Sequence, residues 1–228
     1  LYSSAASDVY KRQGLHYAPM SETTSSPKTP AVAVFDPFAG ADPAVAALCE
    51  ALRAAGVHAE VTSDPESAVA AGGLVVAASG NAAEALRALR NAQVDRVVGQ
   101  RLAGSRPVLV VGAAMDALFE RGADGAAGFG EWPGGVDKLD APVERAEVAP
   151  AERSLMLDGA HEFVFNAATG ARDFELQEDE FIAYPKLSWA GEVLAAVENG
   201  PLWAIRFHPE ASSEAGTGVL RNWIAQLG

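Results

Sequence analysis

The chain has 228 residues, of which 49% are hydrophobic and one is cysteine, and its formal net charge is −13. This length and composition suffice for one sizeable buried core, and the lone cysteine excludes an internal disulfide framework. The acidic balance argues against nucleic acid as a partner, and no apolar run is long enough to cross a membrane, so we expect a soluble, cytoplasmic protein.

Residues 1–30 are expected to form a disordered polar tail, because they lack the apolar surface needed to fold. The segment 8–13, D-V-Y-K-R-Q, is typical of the translation of a transposon-type sequencing adapter. We therefore expect residues 1–14 to be foreign to the natural chain, which would start at Met20. The opening has neither the apolar core of a signal peptide nor the amphipathic pattern of a transit peptide. The folded domain is predicted to span residues 31–228.

From residue 31 onwards the pattern predicts alternating strands and helices. The predicted strands cover residues 31–35, 58–62, 74–77 and 107–111, and the predicted helices cover residues 43–56, 82–93 and 115–120. This order predicts an α/β fold with a doubly wound, mainly parallel sheet whose functional crevice lies at the carboxyl ends of the strands. Short strands at 162–165, 180–184 and 193–198, before a last helix at 215–226, predict an antiparallel extension.

Two short segments carry the chemistry. The first, Phe207-His208-Pro209-Glu210, follows the apolar run 202–205 and places an imidazole two residues before a carboxylate at the end of a buried strand. Such a pair activates a thiol or hydroxyl nucleophile. The second segment, P-V-L-V-V-G-A-A-M at residues 107–115, predicts a strand that runs into a sharp turn, which is where a nucleophile would stand. Gly112 occupies the tip of that turn and offers no side chain.

Three blocks of the sequence resemble class I glutamine amidotransferases, in particular the glutaminase subunit of imidazole glycerol phosphate synthase from histidine biosynthesis. The family motif P-V-L-G-I-C-x-G-M-Q-x-L-F-E is similar to residues 107–120, G-x-W-P-G-x-V to residues 130–136, and Q-F-H-P-E to residues 206–210. The resemblance extends over most of the predicted domain, so it is more specific than a single short motif. It implies a flavodoxin-like core and a thiol-dependent release of ammonia from glutamine.

The nucleophile is missing where the resemblance places it. Counting from the shared methionine, the family's Cys falls on Gly112 and its glutamine-contacting Gln falls on Asp116. The family's oxyanion loop falls on residues 77–82, so Ser79 and Gly80 join Asp116 as candidate substrate-binding residues. The resemblance makes His208 and Glu210 the remaining triad members, so they are candidate catalytic residues. Because loss of the nucleophile costs a triad enzyme about 10⁶ in turnover, we predict that the chain is inactive as a glutaminase.

The resemblance also implies a partner, a barrel-type cyclase subunit (HisF-like) that receives the ammonia. Two family segments that lie near this partner are altered: P-H-M-G-W-N, expected after residue 142, is absent, and F-V-H-S-Y reads F-V-F-N-A at residues 163–167. These departures count against docking. We expect no cofactor and no metal, since His58 and His161 stand apart from any cluster of metal-ligand residues.

Each candidate residue also has a structural interpretation. His208 and Glu210 would persist because their turn closes the sheet and forms local hydrogen bonds. Gly112 would suit an elbow whose backbone conformation glycine tolerates best, and Asp116 would be a solvated carboxylate at the start of a helix.

Three functions therefore stay open. The one that we favour is a non-catalytic, glutaminase-like subunit. A divergent enzyme that uses His208 with another nucleophile or water is the second, and it predicts an enclosed polar cavity around His208 and Gly112. The third is a stand-alone module that binds a small molecule.

Overall fold

The computed structural model describes residues 31–174 and 184–227. The tail predicted over residues 1–30 and most of the strand predicted at 180–184 lie outside these residues. The described elements are, in chain order, β1 (Ala31–Phe35), α1 (Pro43–Ala54), β2 (His58–Thr62), α2 (Pro65–Ala70), β3 (Gly73–Ala78), α3 (Ala82–Asn91), α4 (Val94–Ala103), β4 (Val108–Gly112), a 3-10 turn (Met115–Leu118), β5 (Phe119–Arg121), β6 (Trp132–Gly135), β7 (Asp137–Val148), β8 (His161–Gly170), β9 (Lys186–Ala190), β10 (Val193–Asn199), β11 (Leu202–Ile205), a second 3-10 turn (Pro209–Ala211) and α5 (Ser213–Ile224).

A central sheet organises the fold. Within the described residues it has seven strands in the order β2-β1-β3-β4-β11-β10-β9. The first five strands are parallel, whereas β10 runs antiparallel to both β11 and β9. The predicted α/β fold, with a doubly wound, mainly parallel sheet and an antiparallel extension, is confirmed. The carboxyl ends of β3, β4 and β11 lie side by side, and this edge carries the candidate site.

The sheet is covered on both faces because its inner strands are apolar at every position. Leu109 packs in a hydrophobic cluster with residues of α1 and α5, including Leu48 and Trp223. Its neighbour Val110 packs in a second cluster with residues of α3 and α4, including Leu86. Successive side chains of a strand point to opposite faces, so one continuous apolar strand serves both cores.

The helices α1, α2 and α3 begin where a short polar residue satisfies the first amide groups. Asp42 accepts a hydrogen bond from the amide of Ala44, and Asn81 accepts one from Ala83, so α1 and α3 start at the predicted residues. The helices α2 and α4 were not predicted. No helix of the described chain is both long and apolar enough to span a membrane.

Arg101 on α4 holds the end of α2. This side chain is fully buried, and its guanidinium donates hydrogen bonds to five backbone carbonyls, those of Ala68, Val69, Ala71, Gly72 and Pro107. Burial, and to a smaller extent the charge of Arg106, lowers the pKa of Arg101 to about 10. A cation at this place stabilises carbonyls that the ending helix leaves without partners.

The prediction of a helix over residues 115–120 is wrong in part. Residues 115–118 form a single 3-10 turn, and Phe119 begins the short strand β5, which pairs with Trp132 on β6. The two rings meet edge to face with their centroids 5.6 Å apart. Burial of this aromatic pair, which comes from distant parts of the sequence, outweighs the local helical pattern.

The predicted short strand at 162–165 is part of a much longer hairpin. β7 and β8 pair antiparallel from Asp137 with Gly170 to Val148 with His161, and the pairing shifts register near Val143. Many side chains of β7 are exposed, which explains why hydrophobic periodicity does not reveal it. The hairpin brings Thr169 and Val164 to the candidate site.

Candidate functional site

Gly112 ends β4 at the centre of the site. Its φ is +69°, in the left-handed region that favours glycine. A Cβ atom built there would lie 3.4 Å from Nε2 of His208 but only 2.5 Å from the carbonyl oxygen of Ala78. The position therefore points at the imidazole, as the nucleophile of a triad would, yet β3 leaves no room for a side chain.

The amide that follows Gly112 is also engaged. Ala113 N donates a hydrogen bond to the carbonyl oxygen of Ala78 at 2.8 Å. In nucleophile elbows the amide after the nucleophile is a donor to the oxyanion that forms during acyl transfer. Here that donor is already used by the end of β3.

His208 and Glu210 form a buried pair at the end of β11. Nδ1 of His208 lies 2.9 Å from Oε1 of Glu210, and each side chain is 7% exposed. The second carboxylate oxygen, Oε2, is buried and has no hydrogen-bond partner within residues 31–174 and 184–227. The geometry is that of a base with its orienting acid.

The same turn also closes the structure locally. His208 N donates to the carbonyl of Val164 on β8 at 2.7 Å. The hydroxyl of Ser212 donates to the carbonyl of His208 at 2.6 Å and accepts a bond from the amide of Val164 at 3.0 Å. Both interpretations of this turn thus have contacts that support them.

Asp116 is buried, so its interpretation as a solvated carboxylate at a helix start is wrong. It is 3% exposed, and its Oδ1 lies 3.0 Å from Nε of Arg206, which is 2% exposed. Thr169 Oγ1 donates a hydrogen bond to Oδ2 of Asp116 at 2.6 Å, and Nη2 of Arg206 donates to Thr169 Oγ1 at 3.2 Å. Burial raises the pKa of Asp116, while the charge of Arg206 opposes the shift.

Ser79 and Gly80 follow β3, and their surroundings differ. The amide and the hydroxyl of Ser79 donate to the carboxylate of Asp42 at 2.7 and 2.8 Å, and that carboxylate also caps α1. Ser79 is therefore occupied in joining β3 to α1. Gly80 lines a cleft of about 300 Å³ together with Asn81, Lys138, Thr169 and several small residues.

The described clefts do not surround the imidazole. Two further clefts, of about 410 and 270 Å³, lie between α2 and α4 and near the amino-terminal ends of β4 and β11. Neither Gly112 nor His208 lines any of these three clefts. Within the described parts of the chain, His, Cys, Asp and Glu side chains form no group of three that could hold a metal ion.

Sequence reasoning missed two residues of the site, Thr169 and Arg206. Arg206 had a usable signal, since a charged residue between the apolar run 202–205 and Phe207 should need a buried partner. Thr169 had none, because an isolated threonine in a polar segment is unremarkable. The structure brings Gly112, His208 and Glu210 together, while Asp116 pairs with Arg206 and Ser79 is engaged with Asp42.

Comparison with known proteins places the chain in a family. No family model matches it. It is 43% identical over 191 residues to the imidazole glycerol phosphate synthase subunit HisH of Thermobifida fusca, covering 78% of this chain and 90% of that protein. It is 44% identical over 190 residues to the HisH subunit of Nocardia farcinica, with the same coverage.

Solved structures agree on the fold. A glutamine amidotransferase of known structure has a TM-score of 0.64 and 19% sequence identity, over 86% of this chain and 97% of that chain. A glutamine amidotransferase from Thermotoga maritima has a TM-score of 0.59 at 11% identity, over 87% and 98% of the two chains. The solved structures agree with a glutamine amidotransferase fold, and the two relatives above 40% identity show that the chain belongs to the HisH family.

Proposed function

We propose that this chain is a HisH-like subunit of imidazole glycerol phosphate synthase, in histidine biosynthesis, that has lost the ability to hydrolyse glutamine. Its role would be to bind or regulate a barrel-type cyclase subunit, which would then use free ammonia. Family membership supports the pathway and the type of subunit. The loss of hydrolysis is supported by the elbow.

The observation that carries the proposal is the lack of space and of a free amide at the elbow, Gly112-Ala113. Release of ammonia from glutamine by this family's route needs a thiolate, a base and amide donors for the oxyanion. At position 112 there is no thiol. The carbonyl oxygen of Ala78 lies where a side chain at position 112 would begin, and it also accepts the hydrogen bond of the Ala113 amide. His208 and Glu210 retain the geometry of a base, but a base without a nucleophile does not complete the reaction.

Docking to a cyclase is supported by the relation to proteins named as subunits, which covers 78% of this chain and 90% of theirs. The altered segments, residues 143–148 and 163–167, both lie on the hairpin β7–β8. If this hairpin faces the partner, the altered side chains that could reach it are the exposed Glu144, Arg145, Glu147 and Asn166, whereas Phe165 and Ala167 are buried. The proposal is therefore that of a subunit whose interface has diverged together with its site.

Ammonia release from glutamine tests the proposal. The purified chain would be assayed alone and with a cyclase from the same source, beside the HisH subunit of Thermobifida fusca as a positive control. We expect no release above a heat-denatured sample and co-elution with the cyclase in gel filtration. Release of ammonia would overturn the inactive assignment, and failure to co-elute would overturn the role as a subunit.

The contact between His208 and Glu210 favours one alternative, an enzyme in which the imidazole activates water or a substrate hydroxyl. A His208→Asn variant separates the two. Any turnover of the natural chain that this variant abolishes supports the alternative, whereas a subunit without catalysis would bind the cyclase equally well in both forms.

A further inference from the structure

Three polar residues from separate elements meet beside the elbow. Asp116 lies on the 3-10 turn that follows β4, Thr169 lies near the end of β8, and Arg206 follows β11. Each touches the other two: the guanidinium contacts the carboxylate at 3.0 Å, and the hydroxyl of Thr169 donates to Asp116 and accepts from Arg206.

The triangle is largely closed to water, and within the described residues Nε of Arg206 contacts Asp116 as an ion pair without forming a hydrogen bond. Asp116 and Arg206 are 3% and 2% exposed, so their opposite charges neutralise each other inside the protein. Separating them would leave two buried charges without partners, which is far more costly than separating an exposed pair. A contact of this kind favours one arrangement of its elements over looser ones.

The triangle also joins the hairpin to both halves of the candidate site. Asp116 is four residues beyond Gly112, and Arg206 is two residues before His208. β8 contacts this region twice, through Thr169 and through the carbonyl of Val164, which accepts the amide of His208 at 2.7 Å. The hairpin is thereby attached across the ends of β4 and β11.

We propose that Asp116, Thr169 and Arg206 form a clamp that keeps the hairpin β7–β8 closed over the candidate site and limits access to His208. Thr169 also lines the cleft of about 300 Å³ beside Gly80, so a molecule entering that cleft would meet the clamp directly. Opening of the hairpin is then the step that would connect the cleft with the imidazole. The inference takes from the proposed function only the identity of the site residues. It concerns access of molecules to His208 and not the release of ammonia.

The reaction of His208 with diethyl pyrocarbonate tests the clamp. The rate of carbethoxylation at each histidine is followed by peptide mass spectrometry on the full chain. His58 and His161, with side chains 62% and 43% exposed, are internal references that react without any opening of the hairpin. Thr169→Val removes the bridging hydroxyl at nearly constant volume, and Thr169→Ser keeps it.

We expect Thr169→Val to raise the rate at His208 by a factor of about ten, which corresponds to 1.4 kcal/mol less closing free energy. Thr169→Ser should leave the rate within about twofold of the natural chain, since its hydroxyl can make both bonds. Asp116→Asn, which removes the charge at nearly constant shape and leaves the buried guanidinium of Arg206 without its counter-charge, should raise the rate at His208 at least as much as Thr169→Val. It serves as the second variant if Thr169→Val does not fold.

Two results would overturn the clamp: an unchanged rate at His208 in the folded Thr169→Val and Asp116→Asn proteins, or an equal rise in Thr169→Ser. A rise at His58 and His161 as well would mean general loosening and would also count against it. These outcomes are independent of the ammonia assay, so the clamp and the proposed function can fail separately.

Discussion

The carbonyl oxygen of Ala78 accepts a hydrogen bond from the amide of Ala113 at 2.8 Å. This bond continues the parallel pairing of β3 with β4 one residue beyond the paired Ala78 and Gly112. The sheet thus extends into the elbow, where a working nucleophile would need a free amide and an open space. In the proposed inactive subunit, the absence of a thiol at position 112 and the bonded amide of Ala113 would be two aspects of one local arrangement.

A side chain at position 112 should be costly. We expect Gly112→Ala to lower the free energy of unfolding by about 2–5 kcal/mol, because a left-handed backbone costs roughly 1–2 kcal/mol and the contact with Ala78 adds about 1–3. Gly200→Ala is the matched control, since Gly200 also has a positive φ, +56°, but no atom lies within 4 Å of its built Cβ. Urea unfolding of both variants measures the difference; equal losses would show that β3 yields to the side chain.

Restoring the thiol alone should not fully restore glutamine hydrolysis. In Gly112→Cys the sulfur would lie near the imidazole of His208, but the Ala113 amide would still be bonded to Ala78 and the Cβ atom would meet the same carbonyl. We expect ammonia release to stay below that of an intact HisH subunit by a factor of about 10²–10³ or more, because removing one oxyanion donor alone typically costs about 10²–10³ in kcat. Release by this variant equal to that of the intact subunit would show that β3 moves aside easily.

The ion pair of Asp116 with Arg206 should respond asymmetrically to substitution. Asp116→Ala leaves a buried guanidinium without its counter-charge and should destabilise the protein by about 3–5 kcal/mol. The double variant Asp116→Leu with Arg206→Met fills similar volume without charge and should recover most of that loss. Chemical denaturation of the single and double variants measures their free energies of unfolding. If the double variant is no more stable than Asp116→Ala, the unpaired charge of Arg206 is not the cause of the loss in the single variant.

Arg101 should be much more sensitive than Arg106. Both guanidinium groups donate to carbonyls at the end of α2, but Arg101 is fully buried and Arg106 is half-buried. Arg101→Met should cost roughly 3 kcal/mol or more, because each buried carbonyl that loses its partner costs about 1–3 kcal/mol, whereas water can replace Arg106. Thermal unfolding of the two methionine variants tests the contrast, and equal losses would contradict it.

Much of the framework could be predicted from local patterns. The strands β1, β2, β3 and β4 were placed nearly to the residue, because a buried parallel strand is a short apolar run between turn residues. The starts of α1 and α3 were placed because Asp42 and Asn81 are strong caps whose effect acts within one helical turn.

The elements that were missed depend on distant partners. β7 carries few apolar side chains and forms only by pairing with β8, so its own sequence gives a weak signal. β5 forms where the end of a helix was predicted, because Phe119 packs against Trp132 and Phe174. The residues next to Phe119 in the sequence give no sign of this packing. Tertiary contacts of this kind routinely override local propensity.

The sequence by itself determined the alternation of β1–β4 with α1 and α3, the histidine turn at the end of a buried strand and the absence of a thiol at position 112, since these follow from residue types and short spacings. Only the tertiary structure decided that Ala78 closes the elbow and that Asp116 is buried against Arg206 and Thr169. These contacts join residues 34 to 90 positions apart in the chain, and the backbone path between them is set by the packing of the whole sheet. From the sequence alone, a charged side chain is predicted to be exposed to solvent, because a buried charge is stable only when it is paired with an opposite charge that the sequence does not identify.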